Sequence, residues 1–324
     1  MQQGVKEKAR ALLENGTVSR VLGWKKGEFC YDLTPAVFAS AEEVDRDFVY
    51  SDFSGANLSK YLIAESKKDG KIAVFLKPCD SFSFVQLQNE HRISRENIYA
   101  VGVQCDGMCD GESLRRAGCE GLLSVEGEDT LTVHTLYGDK QIAKGEALLG
   151  KCKTCKSKRI AEFDELIGQQ GEDIPSDRFA EVARLEAMNP EERFAFWQQE
   201  LSKCIRCNAC RNVCPACSCE KCVFDNPASG VLNKAAADSF EEKMFHVIRA
   251  FHVAARCTDC GECSRVCPQN IPLHLLNRKF IKDINELYGP YQAGAVLGSR
   301  PPLMDFRADD PEPSVIYTRG GQGK

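Results

Sequence analysis

The chain has 324 residues, 43% of them hydrophobic, with 42 Lys+Arg against 47 Asp+Glu and a formal charge of −5. At ~100–200 residues per domain that length suits two domains, each with its own core, and a slightly acidic balance argues against general nucleic-acid binding. No apolar run reaches the ~18–20 residues of a membrane helix, and residues 1–10 lack the apolar stretch of a secretory signal, so the expectation is a soluble, cytoplasmic protein. The unusual figure is 18 cysteines. Disulfide-dense scaffolds are exported and usually under ~80 residues. In a large chain with reduced thiols, the same density points to metal binding.

Residues 1–160 read as an α/β domain. A helix over Val5–Glu14 ends at Asn15-Gly16, a C-cap signal. The β-rich runs Ile72–Leu76 and Ile98–Val103 flank Ser81–His91, which reads as a crossover helix with Phe82, Val85 and Leu87 near one face. Two short apolar runs separated by a helix predict a βαβ unit with parallel strands. A weaker strand is expected over Thr130–Leu136, and Lys151–Arg159 reads as a basic loop.

Residues 161–288 read as helical. Asn189-Pro190-Glu191-Glu192 starts a helix: a cap, proline in the first turn, then acids at the positive end of the dipole. Phe194, Trp197 and Leu201 give it an apolar stripe running into Cys204. Phe240, Met244, Phe245, Val247, Ile248 and Phe251 are spaced for an amphipathic helix before Cys257, and such a stripe is first of all core packing. A last helix is expected over Pro272–Leu287. Residues 289–324, with Pro301-Pro302 and Gly320-Gly321, form an extended tail that cannot build a core alone and is either a docking arm or disordered.

Of the 18 cysteines, 11 lie between positions 204 and 267. Cys204-x-x-Cys207-x-x-Cys210-x-x-x-Cys214-Pro215 is repeated as Cys257-x-x-Cys260-x-x-Cys263-x-x-x-Cys267-Pro268. This spacing holds cubane 4Fe–4S clusters: three thiolates on a tight loop cap one cube, and the fourth ligates the other. Cys204, Cys207, Cys210 and Cys267 are therefore assigned to one cluster, and Cys257, Cys260, Cys263 and Cys214 to a second. Zinc is the alternative, but Cys₄ zinc sites normally come as two pairs divided by a longer loop.

A third site is expected in the first half. Cys79 lies seven residues after Ile72, and Cys105 seven after Ile98. In neighbouring parallel strands both thiols emerge at the carboxyl edge, where open α/β sheets bind ligands. Cys152 and Cys155 would complete four ligands, with Lys151, Lys153, Lys156, Lys158 and Arg159 offsetting the negative charge. The competing readings are buried structural cysteines at 79 and 105, and a solvated loop or zinc hook at 152 and 155.

Cys217, Cys219 and Cys222 are left over; they could substitute for Cys214, bind a further metal or be buried apolar residues. Cys30, Cys109 and Cys119 have no partner spacing. The histidines at 91, 134, 246, 252 and 274 form no HExxH pair, and His246 and His252 read as packing or surface residues. No GxSxG, Walker A or GxGxxG motif occurs. The chemistry written in these residues is electron carriage.

Lys77–Asp80, Ile98–Val103 leading to Cys105–Met108, and Lys151–Cys155 together resemble the beta-subunit family of deazaflavin (F-420) hydrogenases and dehydrogenases. Trp197–Leu276 is similar to the dicluster ferredoxin domain of the C-type chain of heterodisulfide reductase, whose fold is a helical ferredoxin. The resemblance covers most of residues 70–285. It implies an electron-transfer subunit of a multisubunit, anaerobic, flavin-based oxidoreductase. Implied partners are a heterodisulfide reductase-like flavin subunit, a hydrogenase or formate dehydrogenase subunit, and ferredoxin. It also implies a 4Fe–4S cluster on Cys79, Cys105, Cys152 and Cys155. Members of the family bind FAD and the deazaflavin, so the alternative to a relay is an FAD-containing catalytic protein acting on a deazaflavin or nicotinamide coenzyme.

Overall fold

The computed structural model describes residues 1–226 and 239–304. The side chain of Phe240 and the Gly320-Gly321 segment lie outside the described residues.

Eight strands are assigned among them: β1 Arg20–Lys26, β2 Leu33–Phe38, β3 Ile72–Leu76, β4 Ile98–Val103, β5 Leu122–Gly127, β6 Thr130–Thr135, β7 Lys140–Ala143 and β8 Glu165–Ile167. The main sheet has the order β2-β1-β3-β4-β8. Strands β1, β3, β4 and β8 run parallel, and β2 closes one edge antiparallel to β1. The sheet is thus mixed, built around the expected parallel βαβ unit. Every residue of β3 is buried, as expected of a parallel strand covered on both faces. The fifth strand, β8, pairs with β4 beyond residue 160, so the sheet draws on chain from the following segment.

The expected strand at Thr130–Leu136 is β6, the centre of a separate antiparallel sheet, β5-β6-β7. Leu114, Leu131 and Val133 form its core, where Cys109 and Cys119 are buried as small apolar side chains.

The crossover helix spans Pro78–Asn89, starting three residues earlier than the pattern suggested. Proline at its first position needs no amide donor there. Its residues from Pro78 to Leu87 are buried on nearly every side except Cys79, which is partly buried. The reason is the helical half of the chain, which covers the face that an isolated βαβ unit would leave to water. Ser83 Oγ and Thr258 Oγ1 are 2.9 Å apart, and Arg256 Nε donates to Glu90 at 2.8 Å.

That helical half contains Ala180–Glu186, Pro190–Leu201, Ser239–His252 and Leu273–Tyr288. Asn189 caps the second of these, accepting from Glu192 N while Glu192 accepts from Asn189 N. Leu201, Phe245, Ile271 and Leu273 make a small core. Phe251, expected in the buried stripe, is 62% exposed and rests on Phe280. Residues 289–304 lie against the rest of the chain. Tyr291 Oη donates to Ala255 O at 3.0 Å, and Asn89 Nδ2 donates to Val296 O at 3.1 Å. Gly294 has φ +73°, and a Cβ there would lie 1.8 Å from Phe82 O, so only glycine lets the arm lie against the crossover helix.

Candidate iron–sulfur centres

The two repeated loops curl in the same way. Arg206 and Asn208 in the first, and Asp259 and Gly261 in the second, all have φ between +56° and +70°. These are the positions two and four residues after the leading cysteine. Left-handed residues at both points wind the loop tightly and turn backbone N–H groups toward sulfur; Arg206 N donates to Cys204 Sγ at 3.4 Å. The first loop holds Asn208 where the second needs Gly261, because a Cβ at 261 would meet Lys151 Cβ at 2.5 Å.

The loops exchange their fourth cysteines. Cys204, Cys207, Cys210 and Cys267 line one cavity with Phe245, His246 and Ile271. Cys257, Cys260 and Cys263 each feel the charge of Cys214. Burial pushes Cys260 and Cys263 up to about 12, so each thiol resists ionising until a cation takes the place of its proton. Cys263 also feels Cys210, which joins the two sets. Among the described residues no three His, Cys, Asp or Glu side chains converge closely enough for a single metal ion.

Cys79, Cys105, Cys152 and Cys155 line a further cavity. The strand register explains half of this: Ile72 pairs with Ile98 and Leu76 with Gly102, so Cys79 and Cys105 follow their strands by equal steps. The other half comes from Gly150–Lys153, a single helical turn. Cys260 lines the same cavity, so this site adjoins the second ferredoxin loop. Burial pushes Cys79 well up, with Asp80 adding to it, and pushes Cys105 up to about 11.

Of the lysines read as a basic loop, Lys153 is exposed but Lys151, Lys156 and Lys158 are not on a solvated face. Lys151 Nζ donates to Gly55 O at 2.6 Å and to Glu262, and Lys158 Nζ donates to Cys105 O at 2.8 Å. Lys156 Nζ donates to Thr258 O, and burial lowers it to about 8. Together they knit the Cys152 turn to both halves of the protein and surround the thiols with positive charge.

Sequence reasoning did not give His246 a role. It is 2% exposed, with Nε2 3.3 Å from Cys204 Sγ. Arg249, one turn on, donates to Cys210 O at 3.0 Å. The available signal was two polar residues interrupting an apolar stripe beside a cysteine loop.

Residues 200–271 match the model of the 4Fe-4S dicluster domain. The chain is 25% identical to the F420-dependent formate dehydrogenase subunit beta of Methanocaldococcus jannaschii, over 91% of this chain and 92% of that protein. It resembles the beta subunits of F420-dependent formate dehydrogenases. A second relative, the F420-dependent formate dehydrogenase 1 subunit beta of Methanococcus maripaludis, is 25% identical over 66% of this chain and 71% of its own length. A chain of the F420-reducing [NiFe] hydrogenase complex from Methanosarcina barkeri aligns over 62% of this chain and 88% of its own, with TM-score 0.38 and 14% identity. The described elements and the dicluster match give an α/β domain followed by a helical 4Fe–4S dicluster domain. No described helix is long and apolar enough to cross a membrane.

Proposed function

We propose that the protein is an electron-transfer subunit that relays single electrons through three 4Fe–4S clusters within a multisubunit oxidoreductase of formate dehydrogenase or hydrogenase type. Cys204, Cys207, Cys210 and Cys267 would hold one cluster of the dicluster domain. Cys214, Cys257, Cys260 and Cys263 would hold the other, and Cys79, Cys105, Cys152 and Cys155 the third. The observation that carries the reading is the cavity shared by Cys79, Cys105, Cys152 and Cys155 with Cys260. It joins a four-thiol site at the sheet edge to a ligand of the dicluster domain. The order of relay is then the sheet-edge cluster, the Cys257 cluster and the Cys204 cluster, with Cys263 near Cys210 at the second step. When bound, such clusters accept and release one electron each. The chain's own part is to hold the sulfurs, exclude water and set the local charge.

The domain limits follow the same reading with one shift: the α/β unit takes in β8 and so reaches residue 167 rather than 160, a helical linker and dicluster unit follows to 288, and a tail runs from 289. The partners would be the other subunits of a redox complex: a formate dehydrogenase or hydrogenase subunit, a heterodisulfide reductase-like flavin subunit, or ferredoxin. The deciding experiment is iron and sulfide analysis of the anaerobically purified chain. About twelve irons support three clusters, and about eight leave only the dicluster domain loaded. Cys79→Ser should remove about four irons; unchanged iron would overturn the sheet-edge assignment.

One observation favours a second reading, an FAD-containing protein acting on a deazaflavin or nicotinamide. A 450 Å³ cleft beside the sheet-edge site is lined by Tyr31, Phe53, Arg115, Arg116, Arg265 and Lys151 among others. Aromatic faces with arginines suit a flat, phosphate-bearing coenzyme. Flavin released on denaturing the anaerobic protein would favour this reading, and a flavin-free preparation would remove it.

A further inference from the structure

The relay leaves Cys217, Cys219 and Cys222 unassigned, yet these thiols line one cavity of 230 Å³. Arg249 and Lys60 line it as well. Arg249 is 3% exposed and its Nε has no hydrogen-bond partner among the described residues. A buried donor without an acceptor is costly, so a cavity walled by one calls for an anionic occupant. Lys60 Nζ donates to the carbonyl of Cys217. Among the described residues neither Lys60 nor Arg249 pairs with a carboxylate, whereas Arg211 and Arg256 on the same wall pair with Asp225 and Glu90. Glu220 and Asp225 line the cavity too, but they pair with Arg92 and Arg211, which leaves Lys60 and Arg249 as its cations without a carboxylate partner among the described residues.

We propose that this cavity is a fourth 4Fe–4S site, ligated by Cys217, Cys219 and Cys222, with His252 facing the remaining iron. Two features favour a cube over a single ion. One tetrahedral ion needs its sulfurs at ~2.3 Å from a common point, and no three ligating side chains converge that closely among the described residues. A cube spreads its thiolates over separate corners and carries net negative charge, which Lys60 and Arg249 would balance. The place of the site suggests its use. Cys217 hydrogen-bonds Cys214, a ligand of the second cluster in the relay, while Cys219 is exposed. A cube here would lead electrons from the middle of the relay to the surface, giving a second exit for a partner protein. The inference rests on the relay reading for that use, but the site itself does not depend on the sheet-edge cluster.

The test compares iron in the anaerobic full-length protein with that in Cys219→Ser and in Cys219→Ser/Cys222→Ser. The exposed Cys219 supports no core, so the single variant should fold, and it should lower iron by about four per chain. Low-temperature EPR of the reduced protein should lose one cluster's signal and keep the others. Cys79→Ser tests the sheet-edge cluster separately, so combining it with Cys219→Ser should remove about eight irons. Unchanged iron and spectra in Cys219→Ser, or loss of zinc in place of iron, would overturn the fourth site whatever Cys79→Ser does.

Discussion

Lys151 Nζ lies 2.5 Å from Glu262 Oε1, with the lysine side chain 6% exposed and the glutamate 0%. Lys151 immediately precedes Cys152, and Glu262 stands between Cys260 and Cys263, so this pair joins the sheet-edge site to the dicluster domain. Burial alone would raise the carboxyl, but Lys151 and Arg265 hold it down to about 2. Removing one partner of a buried pair strands the other charge, at about 3–5 kcal/mol. Glu262→Leu strands both Lys151 and Arg265, which donates to Glu262 at 2.8 Å. Lys151→Met leaves Glu262 its arginine. Denaturant unfolding of the anaerobic protein should therefore rank Glu262→Leu as the more damaging change. The double variant should cost less than the sum of the two. Additive losses would contradict the coupling.

Much of the α/β core was legible because strand and helix periods differ. Ile72–Leu76 and Ile98–Val103 are short, β-rich and apolar throughout, and both strands form at those limits. The edge strand β2 was not legible: Leu33–Phe38 contains Pro35 and has one fully buried residue, Phe38. Only its pairing with β1 makes it a strand. The dicluster domain was readable from the repeated cysteine spacing alone. The roles of His246 and Arg249 and the tie from Lys151 to Glu262 were not, because each acts across a junction between segments distant in sequence. Local pattern carries no information about such contacts.

Loss of the clusters should loosen the dicluster domain before the sheet. Its core is small, built on Leu201, Phe245, Ile271 and a few neighbours, whereas the main sheet is packed on both faces. Where ligation supplies folding free energy, removing metal unfolds the segment that binds it. Limited proteolysis after anaerobic chelation should cut first within residues 200–271 and leave a fragment containing β1 to β4. Early cleavage in the main sheet would contradict this order.

His246 should tune the Cys204 cluster. Burial, with Arg249 and Arg206 nearby, pushes the imidazole down to about 3, so it is neutral at pH 7. Among the described residues its Nδ1 has no partner, while Nε2 lies 3.3 Å from Cys204 Sγ, where the tautomer protonated at Nε2 donates to that sulfur. A hydrogen bond to a ligand sulfur stabilises the reduced, more negative cluster and raises its potential. His246→Phe should lower the potential of one cluster by on the order of tens of millivolts at unchanged iron content. EPR-monitored redox titration measures it. Equal potentials in the two proteins would reduce His246 to a packing residue.

Asp164 should make the β4·β8 edge acid-sensitive. Its Oδ2 accepts from Ala100 N at 2.7 Å and its Oδ1 from Arg95 Nη2 at 2.8 Å. Burial alone would raise this carboxyl, but Arg95 and the Ala100 amide outweigh it and leave it below the usual 3.8. A carboxylate depressed in the folded state contributes stability above the unfolded value and loses it as pH falls through the folded one. Asp164→Asn should thus cost about 1 kcal/mol at pH 7, a modest figure because the side chain is partly exposed. Below about pH 3.8 the wild type should progressively lose the same contribution, so the two unfolding midpoints converge. Hydrogen exchange at Ala100 N should quicken in the variant at pH 7, and in the wild type only in acid. A constant gap between the two proteins from neutral pH down to acid would show that shape, not charge, holds this edge.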